Sequence, residues 1–135
     1  MFLHALQEHF GFISSEAEEW TASKLGLQPI NVHELVTFYP MFRQEPLGRH
    51  QIKVCRTLSC ALAGAKVVRD AFCHKVGLDL HKHGPQTTPD GLYTVEFVEC
   101  LASCGTGPVV MVNEAFHEHV TVEKAEQILA GCRGN

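Results

Sequence analysis

Two pairs of closely spaced cysteines constrain this chain more than any other feature. Four residues separate Cys55 from Cys60, and three separate Cys100 from Cys104. Each pair follows a run of residues typical of a β-strand, and the two pairs lie far apart in sequence. Two irons bridged by two sulfides need four thiolates, two for each iron, so one pair from each of two loops can hold such a cluster. The pattern predicts a 2Fe-2S site and electron transfer, with Cys55 and Cys60 on one iron and Cys100 and Cys104 on the other.

The residues around the pairs predict how the two loops meet. Residues 51–54 alternate polar and apolar, residues 60–76 have helical spacing, and residues 92–98 are rich in β-branched and aromatic types. A helical crossover makes the two strands parallel, so both cysteine loops are expected at the same edge of a sheet. We expect the start of that helix to stabilise the thiolates and the N–H groups of residues 105–107 to donate hydrogen bonds to the sulfurs. Leu58, Leu101 and Pro108 are expected to form an apolar wall that limits access of water.

The chain divides into a helical part and an α/β part. Capping patterns at Ser15 and Asn31 predict the second and third of three early helices, and the first helix is expected to end at Gly11. A polar stretch with Pro and Gly, residues 43–50, indicates a linker. We therefore expect an N-terminal helical segment over 1–45 and an α/β domain over 50–135. The domain continues with a hairpin and a helix that begins after Thr121, and residues 81–91 are predicted to be a surface loop.

Composition limits the possible partners and location. The formal net charge is −4 and there is no run of Lys or Arg, which argues against nucleic acid as a partner. The apolar stretches are too short for direct membrane insertion. The N-terminal residues lack the features of a secretory signal, so we expect a cytoplasmic protein whose clustered cysteines bind metal. No nucleotide-binding or acyl-transfer motif is present, and no catalytic residue is predicted.

Three alternatives to the cluster remain open from the residues alone. The first is a zinc-binding structural or assembly module, although its cysteine pairs typically enclose two residues. The others are a redox-active disulfide and four buried, inert thiols. Cys73 and Cys132 belong to neither pair and are predicted to be packing residues. His117 and His119 are expected on the solvated face of an edge strand rather than as ligands.

In addition to the spacing of the cysteines, the residues of several segments resemble those of one protein family. They are Val32-His-Glu-Leu-Val-Thr-Phe-Tyr39, Met41-Phe42, Pro46-Leu-Gly48, the stretch from Ile52 to Cys60, the stretch from Glu99 through Cys104 to Pro108, Asn113, and Val120-Thr121. Together they resemble the thioredoxin-like 2Fe-2S subunit of bacterial NADH:quinone oxidoreductase (respiratory complex I). The resemblance covers nearly the whole chain, with Ala102-Ser103 in place of the Gly-Ala often found between the second pair.

The resemblance carries further expectations. It implies a thioredoxin-like 2Fe-2S ferredoxin domain whose ligands are Cys55, Cys60, Cys100 and Cys104. It also implies a non-catalytic electron-transfer subunit in an NADH dehydrogenase-type complex, on the cytoplasmic side of the membrane in a peripheral arm. The expected partners are the subunit that binds FMN and NAD and other iron-sulfur subunits. Closely related subunits serve NAD-reducing hydrogenases and NAD-dependent formate dehydrogenases, and the residues do not separate these alternatives.

Overall fold

The computed structural model describes residues 1–134, which divide into two units. The first unit ends at Leu47, and the second begins at Gly48. Each unit has its own apolar core.

The first unit consists of three helices around a small core. Gln7 ties the end of the unit to its start, because its amide nitrogen donates to the Met41 carbonyl at 2.7 Å and its amide oxygen accepts the Arg43 N–H at 2.6 Å. The helices are α1 (Phe2–Phe10), α2 (Ser15–Leu25) and α3 (Pro29–Phe38). The core residues are Leu3, Ile13, Ala22, Val32 and Val36.

The helix ends in this unit follow the sequence more closely than the helix starts do. α1 ends at Gly11, as predicted, with the left-handed φ of 83° that glycine adopts easily. α2 is capped by Ser14 rather than Ser15, since the Ser14 hydroxyl accepts the Ala17 N–H. α3 begins earlier than the Asn31 pattern predicted, because Pro29 fits the first turn of a helix, where no N–H partner is needed.

A five-stranded mixed sheet forms the second unit. The strands are β1 (His50–Cys55), β2 (Gln86–Thr87), β3 (Tyr93–Val98), β4 (Val110–Val112) and β5 (Ala115–His117). Their order across the sheet is β2-β3-β1-β4-β5. β1 and β3 are parallel, which confirms the predicted crossover, and the other neighbours are antiparallel.

The helices of this unit are α4 (Leu58–Leu62), α5 (Ala65–Val76) and α6 (Val122–Arg133), with a 3₁₀ turn over Cys104–Thr106. The single crossover helix expected over 60–76 is therefore divided in two, at a Gly64 with a φ of 102°. α5 and α6 pack together, and Lys75 pairs with Glu126 across them at 3.0 Å. Among residues 1–134, no helix combines the length and hydrophobicity that crossing a bilayer requires.

The segment predicted to be a surface loop is partly a strand. Gln86 and Thr87 pair with β3 as β2, and the buried Gln86 side chain bonds the backbone of Asp79 in both directions. Arg69 of α5 anchors the residues before β2, since its guanidinium donates to the carbonyls of Leu80 and Lys82 at 2.7 and 2.8 Å. These contacts join residues 7 to 13 positions apart, which is farther than the repeat of a helix or strand, so local periodicity does not reveal them.

Candidate functional site

Parallel pairing of β1 and β3 brings the two cysteine loops to one edge of the sheet. Cys55, the last residue of β1, lies opposite Val98, the last residue of β3. Cys100 follows Val98 by two residues. Hydrogen bonding with the Leu101 backbone, in the second loop, acts to lower the pKa of the Cys55 thiol in the first. The predicted convergence of the two loops is therefore confirmed.

The second pair is exposed and already close together. The sulfurs of Cys100 and Cys104 lie 3.7 Å apart. A tetrahedral metal that holds two thiolates at about 2.3 Å keeps them about 3.8 Å apart, so the pair has the spacing that one metal ion requires. A hydrogen bond with the Cys100 thiol, and the negative charges of Cys100 and Cys55, raise the pKa of Cys104.

Ala102 shapes the loop between these two cysteines. Its N–H donates to the Cys100 sulfur at 3.2 Å, and its φ is 61°. A residue with a Cβ adopts this left-handed conformation at a cost of about 1 kcal/mol. The loop therefore holds a mildly strained residue at the point where its backbone turns toward a sulfur.

The first pair is buried, with Cys55 and Cys60 each 1% exposed. Burial acts to raise the pKa of the Cys55 thiol, but hydrogen bonds from the Thr57 hydroxyl at 3.2 Å and from the Thr57 and Leu101 N–H groups outweigh it, so the pKa lies below its ordinary value. Burial and the charges of Cys55 and Cys104 raise the pKa of Cys60, although the Val109 N–H acts to lower it. Cys55 is thus the sulfur whose anionic form receives most backbone and hydroxyl donors.

The turn after Cys104 contributes space beside the site, and the Thr106 N–H is not one of the predicted donors to sulfur. The Thr106 N–H donates to the Ser103 carbonyl instead of to a sulfur. A Cβ built on Gly107 would lie 3.3 Å from the Cys60 sulfur, a distance tighter than most real contacts. Glycine therefore lets the backbone pass beside Cys60 without a tight contact to its sulfur.

The predicted apolar wall and helix start are only partly present. Pro108 is buried and Leu101 packs against the core, but Leu58 is 75% exposed and does not cover the site. Cys60 lies in α4, which has only five residues and hence less than two turns of aligned peptide dipoles. Direct hydrogen bonds therefore contribute more than a helix dipole to stabilising the sulfurs as thiolates.

The chemistry of the donor set fits a 2Fe-2S cluster. Four thiols from two loops lie at one edge as two pairs, N–H or hydroxyl donors reach three of the sulfurs, and the Gly107 backbone leaves room beside Cys60. Within residues 1–134, no three His, Cys, Asp or Glu side chains gather in a way that would hold a single metal ion.

The remaining cysteines and histidines lie elsewhere. Cys73 is in the core of the second unit and Cys132 packs against that core; burial raises the pKa of both thiols. The expectation for the histidine pair holds only in part. His117 ends the edge strand β5, where burial and the charge of Lys124 lower its pKa, whereas His119 is exposed but lies beyond the strand with a φ of 47°.

One ion pair at the site was missed from the sequence. Arg56 follows Cys55 directly, Glu99 precedes Cys100 directly, and the two side chains pair across the loops. Opposite charges next to the two paired motifs are the signal that would have revealed it. The sequence also did not predict the hydrogen bonds of Ser103. Its hydroxyl bonds the Thr106 hydroxyl and donates to the Glu118 carboxylate.

Comparison with known proteins identifies related sequences. A family model described as thioredoxin-like 2Fe-2S ferredoxin matches residues 1–133. NADH-quinone oxidoreductase subunit 2 of Thermus thermophilus is 41% identical over 97% of this chain and 71% of its own length. An NADH-quinone oxidoreductase subunit of Rhizobium meliloti is 32% identical, over 94% of this chain and 73% of its own. NADP-reducing hydrogenase subunit HndA of Solidesulfovibrio fructosivorans is 31% identical, over 95% of this chain and 72% of its own length.

Solved structures show the same fold at lower identity. A chain of an NAD+-reducing NiFe hydrogenase has a TM-score of 0.79 and 19% identity over 98% of this chain, which spans 23% of the hydrogenase chain. The thioredoxin-like 2Fe-2S ferredoxin of Aquifex aeolicus has a TM-score of 0.50 and 24% identity, over 64% of this chain and 88% of its own. Both likenesses concern the fold alone, and they confirm the predicted α/β class.

Proposed function

Because the chain belongs to the thioredoxin-like 2Fe-2S ferredoxin family, we propose that it is the electron-transfer subunit of an NADH:quinone oxidoreductase-type complex. Its cofactor is a 2Fe-2S cluster. The observation that carries the proposal is the convergence of two cysteine pairs from distant loops in a chain 41% identical to an NADH-quinone oxidoreductase subunit.

Four cysteines are proposed as the ligands. Cys55 and Cys60 would hold one iron from the buried side, and Cys100 and Cys104 the other from the exposed side. A bound cluster of this type accepts and releases one electron at a time. The chain's own contribution is to orient the four thiolates and to stabilise them through the Thr57 hydroxyl and nearby N–H groups.

Serine substitutions test this ligand set. Replacing any of the four cysteines with Ser should abolish or severely destabilise the visible cluster absorption, because a hydroxyl is a poorer ligand than a thiolate for these irons. Cys73→Ser and Cys132→Ser are the matched controls and should retain two irons and two acid-labile sulfides per chain. A folded but colourless Cys73→Ser protein would show that the ligand set is wrong, and stoichiometric zinc without sulfide would favour the zinc module.

A flavin-bearing subunit that oxidises NADH is the proposed partner. The sequence carries no dinucleotide-binding motif, so hydride must be split into single electrons elsewhere. The chain performs no bond-making step in this scheme. Leu58 and Leu62 are 75% and 80% exposed on α4, beside Cys60, and offer an apolar contact close to the site. The proposed setting is a peripheral arm on the cytoplasmic side of the membrane, with other iron-sulfur subunits nearby.

Stopped-flow absorption measures the proposed function. The isolated chain should not be bleached by NADH at a useful rate, whereas addition of the flavin subunit should make the bleaching fast. Leu58→Ser/Leu62→Ser should slow it without altering the cluster spectrum. Rapid bleaching by NADH in the absence of the partner would overturn the proposal.

A hydrogenase-type complex is the second candidate. The observation that favours it is the 31% identity to the NADP-reducing hydrogenase subunit over 95% of this chain. The two settings differ in where the electrons go. A complex isolated with this chain and assayed for NADH:quinone reduction and for hydrogen-dependent reduction of NAD(P) separates them, since each setting supports only one of the two reactions.

A further inference from the structure

We propose that Arg56 and Glu99 form a clasp that positions the two cysteine loops and sets how firmly they hold their metal; this inference rests on the proposed function of the four cysteines. The Arg56 Nε donates to Glu99 Oε1 at 2.9 Å, and its Nη2 contacts the same oxygen. Both side chains are therefore held by a forked contact rather than by charge alone.

The position of the clasp follows from the strand register. Cys55 pairs with Val98, and the Arg56 N–H donates to the Val98 carbonyl at 3.0 Å, so the backbone ladder runs one residue beyond the sheet. Arg56 and Glu99 stand at the next step, where the strands have ended and the two loops separate. The ion pair thus joins the two loops directly after Cys55 and directly before Cys100.

Its exposure indicates that positioning, rather than overall stability, is its main effect. The side chains are 60% and 68% exposed, and pairs of this kind contribute about 0–1 kcal/mol to folding. Here this small stabilisation helps to hold the two short cysteine loops at a fixed distance from each other. If one loop loosened, its pair of thiols would move away from the pair on the other loop. A metal centre held between the two pairs would then open.

The two charges also act on the site in opposite directions. Arg56 and Glu99 each adjoin a proposed ligand, so removal of one leaves the other unbalanced beside a group that becomes more negative on reduction. Glu99→Gln should therefore raise the midpoint potential and Arg56→Gln should lower it. Because both side chains face water, both shifts should shrink as ionic strength rises.

The chain offers a matched control pair. Lys75 and Glu126 form an ion pair at 3.0 Å with side chains 47% and 50% exposed, and it joins α5 to α6 rather than the cysteine loops. Lys75→Gln and Glu126→Gln remove the same kind of charge from a pair of similar exposure. A purely structural role for surface ion pairs would affect both pairs alike.

The experiment compares holoprotein variants in two measurements, the rate of cluster bleaching by an iron chelator and the midpoint potential. Arg56→Gln and Glu99→Gln should each bleach about two- to fivefold faster than the unaltered protein, the factor that up to about 1 kcal/mol represents. Their potentials should shift in opposite directions. The charge-reversed variant Arg56→Glu/Glu99→Arg should restore slow bleaching, and the Lys75 and Glu126 variants should change neither measurement.

Two results would overturn the clasp. One is bleaching at the unaltered rate in both single variants, and the other is a charge-reversed variant that bleaches as fast as they do. Failure of the proposed function would look different, since the unaltered protein would then lack iron and sulfide before any variant is compared.

Discussion

At the scale of single residues, close backbone contacts decide which side chains this chain accepts. Gly48 lies where the chain enters β1. Its N–H donates to the Thr94 hydroxyl at 2.6 Å, and an added Cβ would meet the backbone of Tyr93 at 2.6 Å. Tyr93 is itself fixed by its pairing with His50, so the backbone cannot move aside. Gly48 therefore has a physical role in bringing β1 against β3.

Gly48→Ala should destabilise the protein by about 3 kcal/mol, because overpacking against fixed backbone costs this much. The thermal midpoint of the holoprotein at neutral pH should fall by about 10 °C. Gly131→Ala is the control, since no heavy atom lies within 4 Å of its Cβ position in α6 and alanine favours a helix interior. A Gly48→Ala protein as stable as the Gly131→Ala protein would contradict the packing argument.

The residues of the site were predictable to different degrees. The two cysteine pairs and their convergence follow from strand-like runs and the geometry of a helical crossover, and the structure confirms that convergence. The assignment of the four ligands stays a prediction. The space at Gly107 and the Arg56–Glu99 pair depend on contacts between distant segments, which spacing and periodicity do not encode.

At the scale of elements, α5 and its single buried arginine organise the least regular part of the sheet. The Arg69 side chain is 7% exposed and lies over the Phe97 ring at 5.3 Å. It contacts Asp70, whose pKa burial acts to raise but hydrogen bonds from Lys66 and Arg69 hold below its ordinary value. With its two carbonyl contacts, Arg69 fixes the segment that leads into β2. A sequence-based prediction makes this segment a loop because a two-residue strand has no periodicity.

Arg69→Met should cost about 3 kcal/mol, since it leaves the Leu80 and Lys82 carbonyls without their donor and Asp70 with only Lys66 as a charged partner. The expected result is a thermal midpoint about 10 °C lower and faster amide hydrogen exchange over residues 78–88. Arg49→Met is the control, because the Arg49 side chain is exposed. Equal midpoints for the two variants would rule out an anchoring role for Arg69.

At the scale of the whole molecule, the two units differ in how much apolar surface they leave exposed. Eleven of the eighteen exposed large hydrophobic side chains in residues 1–134 belong to the first unit, which is the shorter of the two. Phe38 is 77% exposed and Ile30 is 58% exposed, both on α3. Large apolar side chains left exposed in such number on one unit favour a protein–protein contact there. The first unit is therefore the part of the chain that we expect to bind the proposed flavin-bearing partner most extensively.

Ile30→Ser/Phe38→Ser should weaken binding to that subunit by at least about tenfold, because each side chain would lose about 1–2 kcal/mol of apolar burial. The cluster spectrum should remain unchanged, since all four proposed ligands belong to the second unit. Calorimetric titration measures the affinity. Val67→Ser, at a site 60% exposed on α5, is the control and should bind normally. Normal binding by the Ile30/Phe38 variant would exclude α3 from the contact.

The unequal burial of the two cysteine pairs has a chemical consequence for the lifetime of the protein. Cys100 and Cys104 are open to solvent, whereas Cys55 and Cys60 are closed off inside the second unit. Peroxide, oxygen or an alkylating reagent approaching this edge therefore meets the same two sulfurs first. On accessibility alone, we expect damage in air to begin at Cys100 and Cys104, before the inner pair is attacked.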